Sequence, residues 1–155
     1  MNFKEMTRSD TLGMTVVVKT IARLVMSFIL LFGLYIVLYG HLTPGGGFAG
    51  GVIIAIGYVL LVLAFGGKVA LNKLSNFWAS MWDNLGALSF VCITFLGLTG
   101  GYFATNFVAH GIPGELLSAG TIPLSNIAIG IKVGASLYAI LIGLSIYGRI
   151  VTEED

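Results

Sequence analysis

The chain has 155 residues, of which 57% are hydrophobic and only 10% are charged, and its mean hydropathy is +0.98. Soluble domains carry about 25% charged residues, so the composition excludes an ordinary soluble domain and indicates a membrane protein. The net charge of +1 averages a basic N-terminal arm against the acidic residues 153–155.

Four apolar stretches are long enough to cross a bilayer as helices, because a hydrocarbon core about 30 Å thick requires about 20 helical residues. The predicted spans are residues 14–40, 48–66, 84–107 and 123–148. The expected fold class is therefore all-α, with residues 1–155 forming a single membrane domain. We expect a polytopic protein built as a bundle of four transmembrane helices.

Basic residues in the short flanks predict the orientation, since they remain on the cytoplasmic side. The basic residues of the N-terminal arm are Lys4, Arg8, Lys19 and Arg23. Lys68 and Lys73 lie between the second and third spans, and Arg149 lies near the C-terminus. The other two connections have no lysine or arginine. Both termini are therefore predicted to be cytoplasmic, with residues 41–47 and 108–122 outside.

Residues 67–82 are predicted to form an interfacial helix at the membrane surface. Apolar residues recur there at helical spacing, at Leu71, Leu74, Trp78 and Met81. Trp78 and Trp82 would anchor the segment at headgroup level. The simplest interpretation is a surface connector without a role in chemistry.

The sequence HLTPGGGFAGG at residues 41–51 contains glycines at the spacing of a dinucleotide-binding loop, G-x-G-x-x-G. Such a loop requires a strand before the glycines and an acidic residue about 20 positions later. A membrane helix precedes these glycines, and residues 68–70 at the required offset are Lys, Val and Ala. Nucleotide binding is therefore not expected, and the sequence predicts no cofactor.

We interpret this stretch instead as a helix-packing turn, formed by Pro44, Gly45, Gly46, Gly47, Phe48, Gly50 and Gly51. Proline ends or redirects the chain. Small residues four positions apart allow another helix backbone to come close. The pairs Gly97/Gly101 and Gly130/Gly134 repeat this spacing. Packing within the bundle and packing against other subunits explain the pattern equally well.

Lys132 is the one charged residue deep inside a predicted span, because Lys19 and Arg23 near the start of the first span can reach the headgroups. An ionisable group at that depth costs a few kcal/mol or more and indicates function. Every acidic residue is predicted to lie outside the spans, with Asp83 at the inner edge of the third. The chain's own spans therefore offer no carboxylate to pair with Lys132. It either extends to the outer interface or faces a polar region completed by another subunit, where it is neutral or paired with a carboxylate.

Three further residues are candidates for an ion pathway. His41 suits a proton relay, because histidine exchanges protons near neutral pH, or it is a hydrogen-bonding anchor. Glu115 would attract cations at the outer mouth, or it is a solvated loop carboxylate. Asn126 and the adjacent Ser125 would continue a polar track, or they cap a helix. The two histidines and Cys92 form no cluster spaced for a metal, so no metal site is expected.

GHLTPGGGFAGG at residues 40–51 and IPLSNIAIGIKVGA at residues 122–135 resemble the B subunit of Mrp-type multisubunit sodium/proton antiporters, the MnhB family. Relatives of this family are also modules of membrane-bound hydrogenase and sulfane reductase complexes. The likeness covers about residues 19–147. It implies that the family keeps His41, Pro44, Gly45, Gly46, Gly47, Phe48 and Lys132.

The resemblance implies a small subunit of the cytoplasmic membrane that works only inside a larger assembly. Its expected partners are other membrane subunits and lipid, with Na⁺ and H⁺ as the transported ions and no nucleic acid. It is not expected to be an enzyme by itself. Contribution to ion translocation, or to the wall of its pathway, is the first hypothesis.

A purely structural scaffold that positions larger subunits without touching the ion is the alternative. An autonomous four-helix transporter working as a homo-oligomer is disfavoured, because a cation carrier is expected to hold an acidic residue in the membrane.

Overall fold

The computed structural model describes residues 14–65, 76–116 and 118–154, with side chains for all of these except 76 and 145–154. The described chain contains four long helices, α1 (Val16–Tyr39), α2 (Gly47–Phe65), α3 (Asn76–Leu96) and α4 (Ile122–Glu154), and no strand. A short 3₁₀ helix, Gly97–Gly100, follows α3. All four long helices contain a segment long and apolar enough to cross a membrane. The predicted all-α, four-helix membrane fold is confirmed.

The third helix differs most from its predicted bounds. It begins at Asn76 and ends at Leu96, whereas the sequence predicted a span over residues 84–107. Residues 76–82, which the sequence assigned to the interfacial helix, therefore belong to α3. The rest of that predicted helix, residues 67–75, lies outside the described residues. The sequence had placed Asp83 at the inner edge of the span, next to the predicted interfacial helix.

Helix α4 contacts all three of the other long helices. Helices α1 and α2 pack antiparallel, α2 and α4 pack parallel, and α3 packs antiparallel against α4, while α1 contacts α4 more lightly. The order in space is therefore α1, α2, α4, α3. On one face of this row, α1 and Trp82 of α3 flank an apolar cavity of about 490 Å³.

Glycines set the spacing between α2 and its neighbours. A Cβ atom on Gly51 would lie 2.8 Å from the carbonyl oxygen of Gly130 in α4, and one on Gly50 would lie 2.8 Å from that of Gly33 in α1. A Cβ on Gly47 would overlap the backbone of Asn126. The packing turn thus lets α2 contact two helix backbones at once, on opposite sides.

The remaining small residues have different roles. Gly46 has a φ of 114°, which side chains rarely tolerate, so the chain can turn there into α2. Phe48 is 68% exposed, and Pro44 is also exposed. Gly97 contacts the backbone of Thr105 in its own loop, and Gly101 has no neighbour within 4 Å of a built Cβ. In the described part of the chain, the closest neighbours of Gly97 therefore belong to its own loop and not to another long helix.

We expect leucine at Gly51 to destabilise the fold by about 1–3 kcal/mol, because the larger side chain must separate α2 from α4. The matched control is Gly143→Leu, since a Cβ at Gly143 meets nothing within 4 Å and both positions lie inside helices. Thermal unfolding in mild detergent measures the difference. Equal stability of the two variants would contradict the close-contact explanation.

The orientation in the membrane remains a prediction and is testable by cysteine labelling after Cys92, which is exposed, has been replaced by alanine. Ile112→Cys, at a residue that is 65% exposed, should react with a membrane-impermeant maleimide added outside intact cells. Thr15→Cys should react only after permeabilisation. The opposite pattern would reverse the assigned orientation.

Candidate functional site

Three side chains of α3 and α4 form a hydrogen-bonded group, the polar triad of Asp83, Lys132 and Ser136. The Lys132 Nζ lies 2.7 Å from Asp83 Oδ1 and forms a salt bridge with it. Ser136 Oγ donates to the same carboxylate oxygen at 2.5 Å. Lys132 Nζ also donates to Ser136 Oγ at 3.3 Å. Each member of the triad therefore contacts both of the others.

Small residues explain why the triad forms at this position. Lys132 and Ser136 lie one turn apart on α4 and therefore share a face. A Cβ on Gly86 of α3 would lie 2.7 Å from the backbone nitrogen of Lys132 and 2.9 Å from the carbonyl oxygen of Ala128. The α3 backbone thus touches α4 at the turn that carries Lys132. Asp83, one turn before Gly86, is thereby brought within reach of the ammonium.

The expectation that the spans hold no carboxylate partner for Lys132 is wrong. Asp83 lies inside α3, about 10 Å along the axis from the first residue, Asn76, and Lys132 lies about 15 Å from the start of α4. A charged residue looks like a span boundary when it is considered alone. The pair carries no net charge, however, so both residues are tolerated deeper in the membrane than either would be alone.

The contacts of Lys132 also exclude, in this structure, a side chain that extends to the outer interface. An ammonium reaching the predicted outer interface would point toward the start of α4. The Lys132 Nζ instead lies against Ser136, one turn nearer the C-terminus, and against Asp83. The lysine is therefore held at depth by an ion pair within the same chain.

The triad lies at the surface of the chain. The Lys132 side chain is 47% exposed and that of Asp83 is 33% exposed. The helices around it present large apolar side chains such as Val91, 46% exposed, and Ile140, 56% exposed. An ion pair is thus open on one side within a membrane-spanning, apolar surface.

Asn126 stabilises the start of a neighbouring helix. Its Oδ1 accepts a hydrogen bond from the backbone N–H of Gly47 at 3.3 Å. The first N–H groups of a helix lack partners within the helix, so this bond caps α2 from α4. The sequence left open whether Asn126 belongs to a polar track or caps a helix. Its contact shows that it caps a helix, but the helix is α2 and not its own.

His41 and Glu115 meet at the loop end of the molecule. His41 Nε2 lies 3.4 Å from the backbone oxygen of Glu115, which also accepts from Ser118 Oγ at 2.6 Å. The buried Nδ1 of His41 has no hydrogen-bond partner in the described part of the chain. His41 thus contacts the Glu115 backbone and not its carboxylate, and no hydrogen bond among the described residues joins either one to the triad.

The sequence did not single out three residues that organise the structure or the candidate site: Asp83, Ser136 and Asn106. Asn106 Oδ1 accepts from the N–H groups of Thr121 at 3.1 Å and Val108 at 3.2 Å, and so orders the loop before α4. No pattern in the sequence indicates this arrangement. For Asp83 a signal existed, because Gly86 lies one helical turn away and marks a close helix contact.

A metal site would need several suitable ligands at one place. No group of three His, Cys, Asp or Glu side chains comes together among the residues that the structure describes. The triad has one carboxylate and one hydroxyl, which are ligands suited to a hard monovalent or divalent cation only when further oxygens are supplied. Any ion at the triad would therefore need ligands from water or another protein.

Comparison with known proteins gives the family. Residues 17–139 match the family described as "Domain related to MnhB subunit of Na+/H+ antiporter". The chain belongs to the MnhB family. This match covers α1 from its second residue, all of α2 and α3, and the part of α4 that carries Lys132 and Ser136.

One named relative agrees with this assignment, and a second relative is similar without a named function. A putative antiporter subunit mnhB2 of Staphylococcus haemolyticus is 30% identical over 133 residues, which are 84% of this chain and 94% of that protein. An uncharacterized protein of Methanocaldococcus jannaschii is 42% identical over 112 residues, 68% of this chain. This MnhB chain spans only 42% of the length of the latter relative.

A solved structure has the same fold. A chain of the membrane-bound sulfane sulfur reductase, an archaeal respiratory membrane complex, superimposes with a TM-score of 0.74 at 36% sequence identity. The match covers 88% of this MnhB chain and 60% of that chain. The four-helix arrangement therefore recurs within a longer protein of a membrane complex.

Removing one charge of the triad should cost more stability than removing both. Asp83→Leu leaves the Lys132 ammonium without its carboxylate, and we expect a loss of about 1–3 kcal/mol, below the cost typical of fully buried pairs because the triad is partly exposed. Lys132→Met added to Asp83→Leu should recover most of that loss.

Thermal unfolding in detergent of both single variants and the double variant gives the coupling energy. Asn84→Leu, at the exposed neighbour of Asp83, is the control for added apolar volume on α3. A double variant less stable than Asp83→Leu would show that the ion pair does not account for the contact.

Proposed function

We propose that this MnhB chain is a non-catalytic membrane subunit of a multisubunit cation/proton antiporter in the cell membrane, with both termini cytoplasmic. In this proposal the polar triad contributes to the translocation of Na⁺ and H⁺ or lines their pathway. The observation that carries the proposal is the partly exposed ion pair between Asp83 and Lys132, held at 2.7 Å inside membrane-spanning helices.

The family and one relative support the subunit role. The family is named for a subunit of a Na⁺/H⁺ antiporter, and the Staphylococcus haemolyticus relative, matched over 94% of its length, is named as a putative antiporter subunit. Membership of a subunit family also favours a role without catalysis of its own. Any redox chemistry in such an assembly would belong to other subunits.

The chemistry of the triad suits an exchange of cations. With Lys132 protonated, its ammonium neutralises the Asp83 carboxylate. If Lys132 releases its proton to water, the carboxylate and the Ser136 hydroxyl can accept Na⁺ together with oxygens from water or another protein, and the site again has no net charge. A bound Na⁺ and the ammonium would repel each other strongly in a low-dielectric setting, so occupation by one disfavours the other. One proton thus leaves as one Na⁺ enters.

A scaffold role is the second candidate, and the similarity to a chain of the sulfane sulfur reductase complex favours it. Here the triad would only hold α3 against α4, while the chain positions larger subunits. Asp83 supplies the membrane carboxylate whose expected absence disfavoured an autonomous transporter. Membership of a subunit family now disfavours an autonomous transporter instead.

Replacing Lys132 distinguishes the two candidates. Lys132→Ala should lower exchange by about tenfold or more, equivalent to about 1.4 kcal/mol in the activation free energy, because the proton-exchanging ammonium is lost. Lys132→Arg should restore exchange only in part, since a guanidinium retains its proton in the working pH range. The assay is Na⁺-dependent collapse of a pH gradient in vesicles that hold equal amounts of assembled complex.

Lys19→Ala is the matched control, because Lys19 lies in the first turn of α1, near the Phe65 ring, and is not part of the triad. It should exchange at the wild-type rate. Wild-type exchange by Lys132→Ala from about pH 6 to about pH 9, a range that brackets the titration of histidine and reaches toward that of lysine, would overturn the pathway role and leave the scaffold role.

A further inference from the structure

We propose that, in the assembled complex, a membrane helix of a different subunit covers the face of α3 and α4 that carries the polar triad. That helix presents an uncharged hydrogen-bonding side chain, a hydroxyl or a carboxamide, to Asp83 and Lys132. The inference rests on the proposed function in one respect, namely that this chain is a subunit of a larger membrane assembly.

The exposure of the triad requires an occupant for this face. Nearly half of the Lys132 side chain and a third of that of Asp83 are open, although both lie about 10–15 Å along helices that cross a core about 30 Å thick. Polar groups at such depth face protein or water and not hydrocarbon. The open side of the triad is therefore an unsuitable surface for lipid chains.

The hydrogen-bonding capacity of the triad indicates the chemistry of that occupant. An ammonium has three donors, and the described contacts of Lys132 Nζ use two, to Asp83 and Ser136. Among the described residues, both bonds to the carboxylate end on Oδ1, so these contacts leave Oδ2 as an acceptor. The triad thus offers one donor and one acceptor together, which a hydroxyl or a carboxamide can match because each both donates and accepts.

Charge balance argues against an ionised partner. The Asp83–Lys132 pair already sums to zero, so an added carboxylate or ammonium would leave one uncompensated charge in the membrane, at a cost of a few kcal/mol or more. The partner carboxylate that the sequence suggested for Lys132 is therefore replaced by a neutral group. Lipid headgroups are also unsuitable, since they lie at the interface and not at this depth.

A second copy of this chain fits the face poorly. Two copies with the same orientation in the membrane are related by an axis along the membrane normal, so each residue lies at the same depth in both. Docking through the triad would therefore present the copy's own Asp83 and Lys132, a second ion pair, to the first. That face offers charged groups and not the uncharged side chain that the remaining donor and acceptor match, which favours a different subunit.

Photocrosslinking in the assembled complex tests the proposal at two positions. A benzoyl-substituted phenylalanine is placed at Ile140, one turn beyond Ser136, or at Ala87, one turn beyond Asp83. After purification in mild detergent, irradiation and mass spectrometry identify the crosslinked segment. The control position is Phe28 on α1, which is 65% exposed and lies on a helix that does not contribute to the triad.

We expect crosslinks from positions 140 and 87 to one membrane helix of another subunit, with a Ser, Thr, Asn or Gln within one turn of the crosslinked residue. Position 28 should not reach that helix. Replacing the identified polar residue by alanine should lower the fraction of this chain that copurifies with that subunit by about threefold or more, equivalent to about 0.7 kcal/mol. The double variant Asp83→Leu/Lys132→Met should show the same loss of copurification. Adding the alanine substitution in the partner subunit should not increase that loss.

Crosslinks only to lipid, to a second copy of this chain, or to a helix with no hydrogen-bonding side chain at that level would overturn the proposal. So would purification of this chain without any other subunit. Crosslinking measures contact and the pH-gradient assay measures transport, so the two proposals can fail separately. Wild-type exchange by Lys132→Ala alongside the expected crosslinks would remove the pathway role and leave the docking face intact.

Discussion

The contact of α4 with helix backbones on two sides is the constraint on which the rest of the structure depends. Gly51 of α2 meets α4 at Gly130, and Gly86 of α3 meets it at Ala128 and Lys132. Apolar surface gives little driving force between helices in lipid, so close packing and interhelical polar contacts must hold them together. Because α3 approaches so closely, Asp83 reaches Lys132, and the site follows from the packing.

The triad and the glycine contacts both hold neighbouring helices together. Glycine gives van der Waals contact between backbones, and the ion pair adds a bond that only one alignment of α3 on α4 satisfies. The bond from Gly47 to Asn126 fixes the register of α2 on α4 in the same way. Polar groups in this fold therefore specify which helix faces meet, a task that the apolar side chains cannot perform alone.

Hydropathy was sufficient to predict four helices, because crossing a bilayer demands long apolar runs whatever their neighbours are. It failed at Asp83, since the tolerance of a charge in a span depends on a partner that lies far away in the chain. The role of Asn126 was ambiguous for the same reason: a cap on another helix leaves no local signature. Spacing identified Gly47 and Gly51, but only the structure distinguishes them from Gly97, which packs against its own loop.

The distribution of polar residues limits what this chain can do for an ion by itself. Between the loop end, where His41 meets the Glu115 backbone, and the triad lie about 15 Å of α4. The polar side chains in that part of the helix are Ser125 and Asn126, and Asn126 is engaged in capping α2. An ion crossing this distance needs oxygen ligands or water at each step. In the proposed pathway, the described part of α4 therefore supplies one position, at the triad, and the approach to it along this helix needs water or polar groups from other helices.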